Sequence, residues 1–288
     1  MIRYDTHMHS SFSTDSDASM ESMVAGAQKA GLEGICFTEH MDLDYPRQYF
    51  PSDPNAFAAD PEEVFREIRR LRGLAGHDDA GVMNNSRISI GFGLEFGMQP
   101  HLADRFHDIA QSCHLDYIVA SQHLVDSMDP YYPEAWEGFT PDELISRYYQ
   151  EMLSNIKAMK EWDSLAHMDY IIRYIPNQSG HVYDSYERHS DVIDEILRYV
   201  ISSGKCLEVN TAGYKYGLGQ PNPSPAILKR YRQLGGERIT VGADAHAPEH
   251  IAGGFIQAEK LLLSLGFRTY SVFKQRRMRE IQFSSISS

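Results

Sequence analysis

The chain is too poor in cysteine to be held together by disulfides. Three of them, Cys36, Cys113 and Cys206, are scattered over 288 residues with no C-x-x-C spacing, which excludes a disulfide framework and a thiolate zinc site. Cys36 and Cys206 lie in apolar, strand-like runs, where a small thiol serves as core filler. Positive charge is scarce as well: 27 Lys and Arg stand against 40 Asp and Glu, for a formal charge of −13. No basic stripe is present, which argues against a nucleic-acid partner. The one basic cluster, Lys274-Gln275-Arg276-Arg277-Met278-Arg279, reads as a solvated helix face. Mean hydropathy is −0.42, and no uncharged apolar run approaches a membrane span, so no membrane role is expected. Met1-Ile2-Arg3-Tyr4-Asp5 leads straight into a strand-like run without the regions of a signal peptide, so the expected location is the reducing cytoplasm. Repeats of solenoid period are absent. The only biased tract is the terminal Ser284-Ser285-Ile286-Ser287-Ser288, expected to fray.

What remains is a globular chain with ample core: 42% of residues are hydrophobic and 23% charged. The length suits one domain over residues 1–288, since α/β barrels reach this size as single units. Strand-like runs cover Ile2–Thr6, Gly34–Thr38, Arg87–Phe96, Tyr117–Ser121, Leu165–His167, Cys206–Asn210 and Ile239–Gly242. Helical patterns lie between them: Met20–Ala30, Pro61–Arg72, Pro141–Glu161 with Thr140 as N-cap, Ser190–Ser202, Ser224–Leu234 and Pro248–Leu265. Strand-then-helix units in series read as a parallel barrel or a doubly wound sheet. The two differ in where chemistry collects. A doubly wound sheet gathers it at one switch point; a barrel gathers it from the C-terminal ends of most strands.

The residues that close each strand decide between them. They are His7-x-His9 with Asp15 beyond, Thr38-Glu39-His40, Glu95, His123, His167-Met168-Asp169, Glu208-Val209-Asn210 and Asp244-x-His246. Residues two apart on an extended chain point to the same side, so H-x-H and D-x-H can each grip one cation. Donors closing nearly every strand, in chain order, point to a ring that aims them at one mouth. Thirteen His, a marked excess, supply most of them. All are nitrogen or oxygen donors, which suits Zn, Mn or Fe. Nine donors (His7, His9, Asp15, His40, Glu95, His123, His167, Asp244 and His246) exceed what one ion takes and call for about three, with a central glutamate able to bridge two. The remaining histidines, His77, His101, His107, His114, His181, His189 and His250, fall in helices or connections and read as surface or structural. Tyr148, Tyr149 and Met152 read as core.

This set resembles the motifs of the polymerase and histidinol phosphatase (PHP) family. The likeness runs from residue 5 to residue 246. Asp5-Thr6-His7-Met8-His9-Ser10-Ser11-Phe12-Ser13, Leu207-Glu208-Val209-Asn210-Thr211-Ala212-Gly213 and Pro221-Asn222-Pro223-Ser224 are similar to its histidinol-phosphatase branch. The resemblance implies a distorted (β/α)7 TIM-like barrel with a trinuclear metal site at the C-terminal ends of the strands. It also implies a partition: one ion on His7, His9, Glu95 and Asp244, a second on Glu95, His123 and His167, a third on Asp15, His40 and His246. Some relatives have His at position 15; Asp is a sound oxygen donor there.

The activity so implied is hydrolysis of a phosphomonoester, most specifically L-histidinol phosphate in histidine biosynthesis, by a hydroxide bridging two ions. Glu95, Asp244 and His246 are the expected catalytic residues. Three divalent ions, three carboxylates and one hydroxide sum to about +2, which holds a phosphate dianion although the protein is acidic, because distant charges are screened beyond ~8 Å. Arg173 and Lys215 are candidate phosphate clamps. Asp126, Asp129, Glu134 and Glu137, among Tyr131, Tyr132 and Trp136, form a segment able to receive a cation. Glu39, Asp169 or a metal-bound water is open as the acid for the leaving group. Alternative readings are another phosphoesterase of the family, an amidohydrolase-like hydrolase, or a binding module with a degenerate site. The oligomeric state is left open.

Overall fold

The computed structural model describes residues 1–74, 88–177 and 183–283. Arg87, His77, His181 and the Ser284–Ser288 tract fall outside the described residues. Seven strands form one parallel sheet in chain order: β1 (Tyr4–Met8), β2 (Gly34–Met41), β3 (Ser89–Gly97), β4 (Tyr117–Ser121), β5 (Ser164–Leu165), β6 (Cys206–Asn210) and β7 (Ile239–Gly242). The intervening helices are α1 (Met20–Lys29), α2 (Pro61–Leu74), α3 (Ala103–Ser112), α4 (Pro141–Ala158), α5 (Ser185–Ser202), the single turn α6 (Ala212–Lys215), α7 (Pro225–Gln233) and α8 (Phe255–Ser264). The sheet curls until its ends meet. His9 N donates to Ala245 O at 2.9 Å and Asp244 N to His7 O at 2.9 Å. The Asp5 carboxylate accepts from the backbone N–H of Ala243 at 2.9 Å and of Ala252 at 3.1 Å. The expected barrel of seven β/α units is therefore the observed architecture, and no described helix is long and apolar enough to cross a membrane.

Local rules explain most boundaries. Ser19 caps α1 by accepting from Ser22 N, and Gly31, at φ +76°, turns the chain out of it. Thr140 and Glu143 cap α4 reciprocally behind Pro141. Its inner face, Tyr148, Tyr149 and Met152 among others, is fully buried. The barrel interior is packed rather than hollow. Tyr117 reaches across it to donate to Thr240 Oγ1 at 3.1 Å, beside Cys36, Val119 and Ala166.

The structure corrects four expectations. First, α3 was hidden by its mostly polar surface. Second, β5 stops at Leu165, because His167 leaves the extended region (φ +20°). Third, the helix expected over Pro248–Leu265 is broken by Gly253 and Gly254, the latter at φ +74°, so only a short turn at Pro248–His250 precedes α8. Fourth, the basic cluster is no helix. Its residues close an antiparallel hairpin, β8 (Thr269–Lys274) and β9 (Arg277–Gln282), joined through Gln275 and Arg276, both with left-handed φ. The charge run masked the apolar alternation of Tyr270 and Val272 with Ile281, which is what buries one face of the hairpin.

That hairpin caps the N-terminal end of the barrel. Phe273 stacks on Tyr117, ring centroids 5.1 Å apart. Asp116 seats the turn by accepting from Gln275 N (2.9 Å), Phe92 N (2.9 Å) and the Arg72 guanidinium (2.6 Å). Asp163 does the same for Arg276 Nε and Ile118 N. Asp116→Ala strands Arg72 and two amide donors in a buried setting. We expect it to lower unfolding free energy by about 3 kcal/mol in urea denaturation. A loss below about 0.5 kcal/mol would show that the turn holds without it.

Candidate metal centre

All nine donors read from the strand ends arrive at one place, the C-terminal mouth of the barrel. Glu95, on β3, is its hub and is 1% exposed. One carboxylate oxygen, Oε2, lies 3.3 Å from His7 Nε2, 3.3 Å from His9 Nε2 and 3.1 Å from His40 Nδ1. The other, Oε1, lies 3.0 Å from His167 Nε2 and 3.2 Å from His123 Nε2, and accepts from Ser121 Oγ at 2.5 Å. Asp244 Oδ1 lies 3.4 Å from His9 Nε2 and 3.7 Å from both His7 Nε2 and His246 Nδ1. Asp15 Oδ2 lies 3.0 Å from His246 Nε2 and 3.6 Å from His40 Nε2. Asp244 holds its place at φ +52°, a left-handed backbone unusual for an aspartate.

The hydrogen bonds behind the rings fix which nitrogens carry protons. His7 Nδ1 lies 2.7 Å from the Glu208 carboxylate, and His123 Nδ1 lies 2.7 Å from Asp42. Each must donate there, leaving Nε2 as a lone pair in the neutral ring. Ser13 Oγ gives its proton to Glu39 at 2.6 Å, so it accepts from His9 Nδ1 at 3.1 Å, and His9 Nε2 is a lone pair as well. Burial, then His246 and His40, push His9 down to about 3, so it is neutral. Lone pairs on His7 Nε2 and His9 Nε2 thus face each other at 3.1 Å and both face a carboxylate. With both rings neutral such a contact is repulsive unless a cation lies among them; without one, Glu208, Glu95 and Asp244 outweigh burial and raise His7 well above its ordinary range, so that a second proton takes the cation's place.

The unsatisfied atoms agree. Buried side-chain atoms without a hydrogen bond include His40 Nδ1, Asp42 Oδ2, Glu95 Oε2, His167 Nδ1 and His246 Nε2, all in this cluster. Donor atoms of His7, His9 and Glu95 lie within 4.8 Å of one another; so do those of Glu95, His123 and His167, and those of His9, His40 and His246. Burial opposes the charge on Glu95, but His7, His123 and His40 overcome it and hold the carboxyl well below its usual range. His7, His9 and His246 likewise outweigh burial at Asp244. The residues therefore fit divalent metal: nitrogen-rich, carboxylate-bridged and dry.

Asp42 went unread in the sequence, and Glu208 was read there without a partner or a role. Asp42 follows His40 at the same two-residue spacing as the other pairs, and it orients His123 while lying 3.2 Å from His40 Nδ1. Glu208, in the middle of β6, holds His7 Nδ1 and, at 3.1 Å, His167 N. The spacing of Asp42 was a usable signal. The role of Glu208 was not, because it depends on which ring the strand ends bring to it.

Outside the cluster the mouth opens into a cavity of about 410 Å³. Arg173 lines it, with its side chain only 2% exposed. Nε donates to Asn222 Oδ1 at 2.9 Å and Nη2 to Asn210 Oδ1 at 3.2 Å, while Nη1 stands 3.6 Å from Asp244. The guanidinium lies between the rings of Tyr170 and Tyr216. Lys215 also lines the cavity, 3.2 Å from His250 Nδ1, which brings His250 to the rim. The acidic segment divides. Asp129, Tyr131 and Tyr132 line the cavity, whereas Asp126 pairs with Arg147, Glu134 and Glu137 are exposed elsewhere, and Trp136 is buried against Pro130 O. Glu39 and Asp169 do not line it. Glu39 accepts from Ser10 and Ser13, and Asp169 from Asn222 and Ser224 N, so both serve as buried scaffold and neither is placed to be the leaving-group acid. His101 and His107 pair with surface carboxylates, and His189 meets Tyr183.

Comparison with known proteins gives the same direction. The sequence profile of the PHP domain matches residues 5–212. The chain is 30% identical over 275 residues to "Probable histidinol-phosphatase" of Clostridium acetobutylicum, covering 96% of this chain and 98% of that one. It is 29% identical to "Histidinol-phosphatase" of Lactococcus lactis subsp. lactis, covering 95% of each. The crystal structure of histidinol phosphate phosphatase from Lactococcus lactis, complexed with zinc, L-histidinol and phosphate, aligns with a TM-score of 0.83 at 27% identity, covering 96% of this chain and 98% of that one.

Proposed function

The chain belongs to the PHP domain family, and on that footing we propose that it is a histidinol-phosphatase, releasing phosphate from L-histidinol phosphate with a cluster of divalent ions held at the barrel mouth. The observation that carries this reading is Glu95, whose two carboxylate oxygens each face a separate set of imidazole nitrogens, the arrangement a bridging ligand needs. Its support is the similarity, over nearly the full chain, to proteins of that name. We assign three ions, of Zn, Mn or Fe, to His7, His9, Glu95 and Asp244; to Glu95, His123 and His167; and to Asp15, His40 and His246. Bound ions of this kind acidify water and stabilise charge on phosphoryl oxygens.

The chain's own residues do the rest. Glu208, Ser13 and Asp42 hold their rings in one tautomer, so each Nε2 is offered without reorganisation. Asp244 and His246 line the cavity together with His40, Glu95, His123 and His167, where the ester arrives. Arg173, which lines the cavity, is pinned by Asn210 and Asn222, so its Nη1, 3.6 Å from Asp244, can take a phosphoryl oxygen at little conformational cost. Lys215 adds a second, looser positive charge at the rim. The barrel and its capping hairpin act as one domain over residues 1–288.

Phosphate release from L-histidinol phosphate by the purified protein, with elemental analysis of the same sample, tests this reading. Metal-dependent turnover and about three ions per chain are expected by the donor count. Turnover no faster than on generic phosphoesters would overturn the substrate, and one or two ions would favour an amidohydrolase-like centre. Arg173→Met should lower kcat/KM by roughly 10²- to 10³-fold and weaken inhibition by inorganic phosphate in parallel. Unchanged phosphate inhibition would take Arg173 out of that role.

A further inference from the structure

The guanidinium of Arg173 is held by two amide oxygens, and each amide has a carboxylate behind it. Asn210 Oδ1 accepts from Nη2 at 3.2 Å, while Asn210 Nδ2 donates to Glu208 Oε2 at 3.1 Å. Asn222 Oδ1 accepts from Nε at 2.9 Å, while Asn222 Nδ2 donates to Asp169 Oδ1. Asn210, Asn222, Glu208 and Asp169 are all wholly buried. Glu208 has a second task, since it also holds His7 Nδ1. The other contact of Asp169 lies away from the rings: its second oxygen accepts from Ser224 N at 2.8 Å, at the start of α7.

An amide side chain can sit either way round with little change of shape, so its neighbours must choose. Turned over, Asn222 would aim its NH2 group at the Nε–H of Arg173, donor against donor, and leave the guanidinium on one anchor. The nearest anion is then Asp244, whose Oδ2 lies 3.6 Å from Nη1. A guanidinium released at Nε can close on that carboxylate and commit there the N–H groups it would offer to a phosphoryl oxygen. A carboxylate only accepts, so Asp169 tolerates one orientation of the Asn222 amide, the one that keeps its oxygen on Arg173.

We propose that Asp169 is a positioning residue for phosphate binding: acting through Asn222, it fixes the amide that keeps Arg173 available to the cavity. This rests on the reading that Arg173 takes a phosphoryl oxygen. Asp169 does not line the cavity and touches neither ester nor product. Its effect travels along three side chains, each hydrogen-bonded to the next.

The test is calorimetric binding of inorganic phosphate to the metal-loaded protein, with metal content measured on each sample. It compares wild type, Asp169→Asn, Arg173→Met and the double variant. Asp169→Asn keeps the size of the side chain but can turn an NH2 group to Asn222, so the choice of orientation is lost. Its phosphate Kd should rise about 10-fold, the size of one lost charge-assisted hydrogen bond. In the Arg173→Met background the same substitution should change Kd by less than about twofold, because the side chain it acts through is gone. A merely structural role would weaken binding by the same factor in both backgrounds, and that result overturns the proposal. So does an unchanged Kd in Asp169→Asn, or a loss of bound metal, which would place the effect at His167 two residues away. Asn222→Ala probes the middle of the relay if Asp169→Asn does not fold. It should weaken phosphate binding to a similar degree in the wild-type background and have no effect beside Arg173→Met; no weakening overturns the relay. Phosphate binding does not depend on which ester is hydrolysed, so failure on L-histidinol phosphate sinks the substrate and leaves this test standing. An Arg173→Met protein that binds phosphate as wild type does removes both the role of Arg173 and this proposal.

Discussion

Glu95→Gln should reduce turnover by about 10³-fold or more and strip the protein of most of its metal. The substitution keeps the shape of the side chain, so the barrel has no reason to unfold. It changes what the hub offers. Where Oε2 now faces nitrogens of His7, His9 and His40, an amide could place an NH2 group, aiming hydrogens at cations instead of a lone pair. Turned the other way, it does the same to His123 and His167. Neither orientation offers a lone pair on both sides, and the negative charge that the hub presents to cations is gone. Phosphate-release kinetics and elemental analysis on one preparation read both effects. Full turnover with about three ions still bound would remove Glu95 from the centre of the site.

Removing the metal should abolish activity and lower Tm by on the order of 10 °C, with both restored by adding metal back. Any ion that binds the folded state with saturating affinity adds its binding free energy to stability. In addition, the lone pairs that an ion would hold apart must otherwise repel or be protonated. The second route gives the metal-free protein a distinctive pH dependence. Burial works against the charge on His123, but Asp42 and Glu95 outweigh it and push the ring up to about 10. A histidine whose pKa is raised on folding contributes stability that is complete below ~6.5 and is lost as pH rises through the folded value. His7 and His40 are raised as well. Metal-free protein should therefore lose Tm between pH 7 and 10, while loaded protein holds steady over that span. Calorimetric scans of both forms at several pH values check this, and a metal-free Tm that climbs with pH in that window would contradict it.

How much of this could be read in the residues depends on the range of the interactions involved. The boundaries of β4, β6 and β7 match those expected from short apolar runs, because parallel strands buried on both faces leave little ambiguity. The cluster was legible because each donor is attached to a strand end, and a closed ring of strands converts separate strand ends into neighbours. Asp129 was singled out together with Asp126, Glu134 and Glu137, and nothing in the sequence separates them. Only the packing of Tyr45 and Tyr131 shows which one turns inward. Glu208 looked like one more polar strand end, and its hold on His7 crosses 201 positions of chain. The hairpin was misread for the opposite reason: a dense local charge pattern outweighed a sparse apolar one.

The plug formed by Tyr117 and Phe273 leaves the reaction chamber a cul-de-sac. Ester and products of the proposed reaction would pass the C-terminal mouth, where whatever sits nearer the threshold departs before what lies behind it. On the proposed function, with phosphate held at the ion ligands, L-histidinol is expected to leave first and inorganic phosphate second. On that order inorganic phosphate, the last guest out, should inhibit competitively with the ester.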